Sequence, residues 1–144
     1  MGSRRKAREC ALQMLFAADV AEMPAAEVVR SYWAELGETD LDATAREFAT
    51  RLASRTLSNL ELLDERIRSR AEHWRISRMA VVDRNILRLA IYEMLHREDI
   101  PPVVSINEAV DIAKRFSTEE SGKFVNGILD SVKGELMRPA REVK

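Results

Sequence analysis

The stretch PPVVSINEAVDIAKRFSTEESGKFVNGILD, which spans residues 101–130, decides the fold of this chain. Its two prolines end any preceding helix, because proline has no backbone N–H to donate to a helix ladder. Ser105 lies three residues before Glu108, which is the spacing of a capping box at the start of a helix. Ser117 and Glu120 repeat that spacing. The stretch therefore predicts two helices joined by a short polar turn.

Each of these two predicted helices carries an apolar stripe at helical spacing. The stripes are Ile106, Ala109, Val110 and Ala113, followed by Val125, Ile128, Leu129 and Val132. Phe116 and Phe124 fall off the stripes, and Lys114, Arg115 and Lys123 lie beside them. Two such rings with basic neighbours can stack unpaired bases and hold their phosphates. The alternative is that both rings cover the core at the helix ends.

The first predicted helix runs from Ser3 to Asp19 and begins with a basic run. Residues 4–10 carry four positive charges and one negative charge, a net of +3. Cations at a helix N-terminus are unfavourable against the helix dipole, which indicates a purpose beyond folding. A solvated helix start is the other interpretation, because charge runs usually face water.

A later helix is predicted to lie at the centre of the molecule. Nearly every position from Ile86 to Leu95 is apolar, and a helix that is apolar all round is a buried one. Three charged residues at its start, Asp83, Arg84 and Arg88, are expected to be exposed.

These patterns predict an all-α, compact single domain of about seven helices. Asp42 is predicted to cap the third helix, and a break is expected between residues 54 and 59. The domain is expected to contain two packed helical subdomains, about 1–75 and about 76–137, followed by a flexible tail, 138–144.

Composition restricts the function. The chain has 144 residues and a formal net charge of −1, so nucleic-acid binding requires a local basic patch. A single cysteine excludes an internal disulfide framework and fits a reducing, cytoplasmic compartment. No apolar run approaches the length of a membrane span.

The sequence contains no recognisable catalytic or metal-binding motif. Gly-rich phosphate loops are absent, and the histidines, His73 and His96, are far apart. Cys10 lies on the apolar stripe of the first helix, which indicates a core position. We therefore expect a binding protein, not an enzyme, with no cofactor and no metal.

Three segments resemble the NusB family of bacterial transcription antitermination factors. They are RRKAREC at residues 4–10, INEAVDIAKRF at 106–116 and KFVNGILD at 123–130. The resemblance implies a NusB-like fold and binding of single-stranded boxA RNA in ribosomal RNA leaders. It also implies action together with NusE, a small-subunit ribosomal protein, in an RNA polymerase antitermination complex.

The resemblance further implies a set of site residues. The RNA face would comprise Arg4, Arg5, Lys6, Arg8, Gln13, Phe16, Lys114, Phe116, Ser117, Glu120, Lys123, Phe124 and Asn126. The protein-partner face would include Asp83 and Arg84. Acidic Asp83 suits a basic ribosomal protein.

Two alternatives remain open from the residues. One is a helper domain related to ribosomal RNA methyltransferases, since a NusB-like domain also occurs fused to such enzymes. The other is a protein-binding helical module, including a homodimer that hides its basic face.

Overall fold

The computed structural model describes residues 3–36, 41–71 and 76–136. The predicted tail, residues 138–144, lies outside them. The described residues form seven α-helices, which confirms the predicted all-α class. The helices are α1 (Ser3–Ala21), α2 (Ala25–Ser31), α3 (Ala43–Ser58), α4 (Leu60–Arg70), α5 (Val81–His96), α6 (Pro102–Phe116) and α7 (Glu119–Leu136).

Two short segments complete this architecture. A π-helical turn at Tyr32–Leu36 follows α2 directly, and a 3₁₀ turn at Ile76–Arg78 precedes α5. Among the helices described, none combines the length and the apolar character that crossing a bilayer requires.

Two local predictions about α3 are confirmed. The Asp42 carboxylate accepts a hydrogen bond from the backbone N–H of Ala45 at 2.8 Å, so Asp42 caps α3. The expected break falls at Asn59, which separates α3 from α4. Both features depend on interactions between residues that are close together in the sequence.

Helix α5 lies at the centre of the fold, as predicted, and contacts α1, α3, α4, α6 and α7. The expectation that its charged start is exposed is wrong. Asp83 and Arg88 are buried, and Arg84 is largely buried. Arg88 donates two hydrogen bonds to Asp64 of α4, at 2.7 and 2.9 Å. A charge can be buried in this way because an opposite charge on another helix pairs with it.

The predicted capping box of α6 is also wrong. Pro101 precedes the helix and α6 begins at Pro102. The Ser105 hydroxyl donates to the Glu93 carboxylate of α5 at 2.8 Å, and Glu108 accepts a hydrogen bond from Arg5 of α1. Because α6 begins three residues before Ser105, the backbone N–H of Ser105 already bonds to the Pro101 carbonyl oxygen, and no side-chain cap is needed at this position.

A buried polar cluster joins α1, α5 and α6. Arg8 donates to both oxygens of the Glu93 carboxylate, at 2.6 and 2.9 Å, and Ser105 supplies a third hydrogen bond to Glu93. Arg8 is 6% exposed and Glu93 is 2% exposed. A bidentate guanidinium–carboxylate pair of this kind is geometrically specific, so the cluster sets the position of α1 against α6.

We predict that Glu93→Ala lowers the free energy of unfolding by about 3–5 kcal/mol, because it leaves the Arg8 charge buried without a partner. Urea denaturation measures this change. The paired variant Arg8→Met with Glu93→Leu should cost less than Glu93→Ala alone, since no unpaired charge remains.

The matched control is Glu65→Ala, which breaks the exposed pair between Glu65 and Arg68 at 3.1 Å. We expect a change within about 0.5 kcal/mol there. Equal effects of Glu93→Ala and Glu65→Ala would contradict a structural role for the buried cluster.

Candidate nucleic-acid interface

The hinge between α6 and α7 consists of Ser117 and Thr118. Thr118, not Ser117 as the sequence pattern predicted, accepts the backbone N–H of Ser121 at 3.0 Å and so caps α7. The Ser117 and Ser121 hydroxyl groups lie 2.8 Å apart and hydrogen-bond to each other. The first turn of α7 is therefore held to the end of α6 by hydroxyl groups.

Gly122 lets the side chain of Lys114 cross this hinge closely. A Cβ atom added at Gly122 would lie 2.8 Å from Lys114 Cγ, closer than real side chains approach. The absence of a side chain at Gly122 is thus required for the observed path of the Lys114 stem, which brings its ammonium within 4.0 Å of Glu119.

Two phenylalanine rings from distant parts of the sequence line one cavity beside the hinge, which we term the hinge cavity. Phe16 of α1 and Phe116 of α6 are 45% and 41% exposed. The cavity has a volume of about 390 Å³ and is lined by Leu12, Gln13, Phe16, Ala17, Val82 and Phe116. Aromatic faces that stay open to water next to a cavity of this kind suit flat, partly apolar ligands.

Gln13 adds a polar group to the rim of the hinge cavity. Its side-chain oxygen accepts a hydrogen bond from the Tyr32 hydroxyl at 2.6 Å, which fixes the orientation of the amide. Its amide nitrogen has no hydrogen-bond partner among the described residues. An oriented donor beside an aromatic face is the arrangement that reads a base edge.

A second cavity, the Asp83 cavity, is lined by Asp83, the residue that follows Val82 in α5. Its volume is about 530 Å³ and its lining is Arg78, Met79, Ala80, Asp83, Glu120, Ser121, Lys123 and Phe124. Phe124 is partly buried against the core, so it offers less of its ring than Phe116 does.

Asp83 is an incompletely bonded carboxylate in the wall of this cavity. It is 9% exposed, and its Oδ2 accepts one hydrogen bond from the Ser121 hydroxyl at 3.2 Å. Its Oδ1 is buried and has no partner among the described residues. Burial raises the pKa of Asp83, and the Ser121 hydrogen bond opposes that shift only in part. A buried acceptor without a donor costs free energy, so a hydrogen bond from an incoming N–H group is especially favourable there.

Two arginines of the basic run in α1 contact carboxylates of other helices. Arg8 is enclosed with Glu93, and Arg5 donates to Glu108 and Asp111 of α6, the latter at 2.9 Å. The Arg8 guanidinium is thereby buried, whereas Arg5 is mostly buried and its partner Asp111 is exposed at the surface. The two arginines hold α1 against α5 and α6.

Arg4 and Lys6 are exposed at the start of α1. Arg4 lies over the Phe48 ring of α3, with its guanidinium carbon 4.3 Å from the ring centroid. It therefore faces away from the hinge. The structure brings Gln13, Phe16 and Phe116 together in the hinge cavity, but it does not bring Arg4 to the same surface.

The remaining predicted residues of α7 lie on its outer side. Glu120 and Lys123 are exposed and form a 3.9 Å ion pair across one turn. Asn126 is exposed and lines neither cavity. Arg84, the other predicted partner residue, donates to the Ile76 carbonyl oxygen at 3.3 Å and pairs with Asp19 at 3.4 Å.

Several residues of these two cavities were not predicted. Val82 of α5 lines the hinge cavity, and Ser121 hydrogen-bonds to both Ser117 and Asp83. No periodic pattern marks either residue, because their roles arise where α5 meets α1 and α6, and where it meets α7. Among the residues described, no cluster of histidine, cysteine and carboxylate side chains can hold a metal ion.

We predict that Asp83→Asn stabilises the isolated protein at neutral pH by about 1 kcal/mol, because the buried ionised carboxylate is replaced by a neutral group. The pKa of Asp83 is raised in the folded state, so its charge begins to destabilise the protein as the pH rises above the pKa in the unfolded chain, about 3.9. This destabilisation is complete above the folded-state pKa. The added stability of Asp83→Asn should therefore vanish at about pH 3.

Urea denaturation at the two pH values measures this difference. The exposed Asp130 of α7 provides the control, since Asp130→Asn should change stability by less than about 0.5 kcal/mol at either pH. A stabilisation by Asp83→Asn that persists unchanged at the acidic pH would contradict the electrostatic explanation.

The chain is similar to known proteins over almost its whole length. The model of the NusB family matches residues 5–133. The Transcription antitermination protein NusB of Sorangium cellulosum is 43% identical over 142 residues, which cover 99% of each chain.

Two solved structures are similar in fold. T. maritima NusB superposes with a TM-score of 0.82 at 41% identity, covering 92% of this chain and 91% of that one. A structure of antitermination factors NusB and NusE in complex with double-stranded RNA gives a TM-score of 0.81 at 28% identity, covering 92% and 97% of the two chains. From the family match and the near full-length identity, we conclude that this chain belongs to the NusB family.

Proposed function

We propose that this protein is a non-enzymatic RNA-binding transcription antitermination factor that acts in the cytoplasm as a single domain. Its RNA would be a boxA-type single-stranded element of ribosomal RNA leaders. Its protein partner would be NusE, and the pair would join an RNA polymerase antitermination complex. Membership of the NusB family supports this, and a similar structure in which NusB is bound to NusE and double-stranded RNA supports NusE and RNA as the partners. The choice of single-stranded RNA rests on the exposed rings described below.

The comparisons favour antitermination over the other functions considered. The relative from Sorangium cellulosum is named an antitermination protein and matches this chain over almost its whole length. A role as a helper domain for ribosomal RNA methylation has no comparable support.

The observation that carries the proposal is the pair of half-exposed rings across the hinge cavity. Phe16 and Phe116 come from α1 and α6, and the buried Arg8–Glu93–Ser105 cluster fixes how these helices meet. Exposing two large apolar rings costs free energy in an isolated protein, so a ligand that covers them is favoured. Unpaired bases stack on such rings, whereas bases inside a duplex do not.

The remaining residues take distinct roles in the proposal. Lys6, Lys114 and Lys123 neutralise phosphates of the stacked segment, and Arg4 neutralises a phosphate on the α3 side of α1. Gln13, Ser117 and Asn126 meet base edges. Glu120 accepts from a base amino group, while Phe124 supports the cavity wall and offers a partial stacking face. Arg5 and Arg8 act through helix placement and make no direct phosphate contact.

Asp83 is the proposed acceptor for NusE. A basic ribosomal protein can supply the N–H donor that the buried Oδ1 of Asp83 lacks. The destabilising charge of Asp83 is thus retained because the complex uses it. Arg84 orients this part of α5 through its contacts to Asp19 and Ile76.

We predict that Phe116→Ala and Phe16→Ala each weaken binding of single-stranded boxA RNA by about 1–3 kcal/mol, the typical contribution of one stacked base. Both rings are half exposed, so the fold should survive these changes. Fluorescence anisotropy with labelled RNA, with and without NusE, measures the affinities.

The matched control is Leu62→Ala, which removes an exposed apolar side chain of α4 that is 65% exposed and lies outside both cavities. It should leave RNA affinity unchanged. Duplex RNA of the same sequence should bind more weakly than the single strand and respond little to Phe116→Ala. An unchanged affinity of both phenylalanine variants for the single strand would remove the stacking surface from the proposal.

We also predict a modest salt dependence. Four phosphate contacts on single-stranded RNA give a slope of about −3 in a plot of log affinity against log salt concentration. Lys123→Gln should reduce the magnitude of this slope by about 0.7. Lys133→Gln, on the same helix and outside both cavities, should leave it unchanged. Identical slopes for the two variants would exclude a phosphate contact at Lys123.

A further inference from the structure

A third cavity lies between α1, α3 and the end of α5, and it contains an unusual concentration of arginine. We term it the Phe48 cleft. Its volume is about 470 Å³, and its lining includes Arg4, Phe48, Arg51, Arg55, Tyr92 and Arg97. Of the residues named here, only Arg4 belongs to the predicted RNA face. The other residues of the cleft have no role in the proposed function.

Phe48 holds two of these guanidinium groups in place. The guanidinium carbons of Arg4 and Arg97 lie 4.3 and 5.1 Å from the centroid of the Phe48 ring. The ring itself is only 6% exposed. It therefore packs against the arginines and has no open face on which a base could stack. A cation over an aromatic face is oriented but keeps its N–H donors available for other partners.

The positive charge of the Phe48 cleft exceeds its negative charge. Arg97 forms two hydrogen bonds to Asp99, at 2.9 and 3.0 Å, and these bonds lower the pKa of Asp99. Arg4 is close enough to Asp99 to contribute to the lowering of its pKa but forms no direct ion pair with it, and Arg51 and Arg55 form no ion pair with any carboxylate that the structure describes. Counting Glu47 and Asp99 against four arginines leaves a local charge of +2 in a chain whose net charge is −1.

Arg51 and Arg55 are four residues apart on α3, and like charges at that spacing destabilise a helix by a few tenths of a kcal/mol. Glu47, four residues before Arg51, offsets this for Arg51, whereas Arg55 has no acidic residue three or four positions away. The guanidinium fork binds phosphate oxygens in two-point contacts, which relieves this repulsion. The chemistry of the cleft therefore selects a ligand with several phosphates or carboxylates.

The position of the Phe48 cleft favours the phosphates of RNA over the carboxylates of an acidic protein. Arg4 and Arg5 are adjacent in α1, so their side chains diverge by about 100° around the helix axis. Arg5 reaches α6, which carries the hinge, while Arg4 reaches the Phe48 cleft. Along α1 the twelve residues from Arg4 to Phe16 span only about 18 Å. A single polyanionic strand can thus cross the amino end of α1 and contact both places.

Resting on the proposed function, we infer that the Phe48 cleft is a second phosphate-binding site for the same RNA. It holds nucleotides that flank the segment stacked at the hinge cavity. The RNA footprint on this protein is therefore longer than the hinge alone can contact, and Arg51 and Arg55 provide affinity for flanking backbone without reading its sequence.

The test compares short and long RNAs on the full-length protein. One oligonucleotide carries the boxA-type element alone, and two others extend it by about ten nucleotides on the 5′ or the 3′ side. We expect at least one extended RNA to bind more tightly than the short one. The double variant Arg51→Ala with Arg55→Ala should weaken binding of that RNA by about tenfold and reduce its salt slope by about 1.4.

The same double variant should leave the short RNA unaffected. The matched control is Arg30→Ala with Arg68→Ala, which removes two exposed arginines outside the cleft and should change neither affinity. Circular dichroism of each variant verifies the fold.

Three results would overturn the inference. If both extended RNAs bind no better than the short one, the cleft does not extend the footprint, although the hinge proposal stands. If polyglutamate, in place of flanking RNA, competes at Arg51 and Arg55, the cleft serves an acidic protein. If no RNA of any length binds, with NusE present, the proposed function itself fails.

Discussion

The bidentate contact between Arg8 and Glu93 is the interaction on which the rest of the structure depends. It is made across three helices, because Ser105 of α6 completes the hydrogen bonding of the same carboxylate. Two buried charges of this kind are tolerated only in one relative geometry. That geometry sets α1 beside α6, so Phe16 and Phe116, a hundred residues apart in the chain, line one cavity.

The same constraint separates the arginine-rich start of α1 into two functions. Arg5 and Arg8 face α5 and α6 and are neutralised by carboxylates, whereas Arg4 faces α3 and retains its donors. The surface charge available to a polyanion is therefore smaller than the sequence composition of the run indicates, and it is divided between two sides of the helix. Affinity for RNA must come from several modest contacts, which fits a factor that acts with a protein partner.

Asp83 illustrates how the site stores free energy for binding. Its carboxylate is buried, its pKa is raised by that burial, and one oxygen lacks a donor among the described residues. An isolated protein would be more stable without this charge. Its position in the first turn of α5 links the proposed partner face to the proposed RNA face, because Ser121 hydrogen-bonds to both Asp83 and Ser117.

Periodicity and short-range chemistry determined much of the fold from the sequence alone: the two apolar stripes of α6 and α7, the buried α5, the Asp42 cap and the break at Asn59. These depend on neighbours in the chain, which a sequence displays directly. The tertiary structure alone decided that Ser105 and Glu108 contact Glu93 and Arg5, and that Arg8 is internal. A charged side chain binds the strongest partner within reach, and which partner is within reach depends on how distant helices pack.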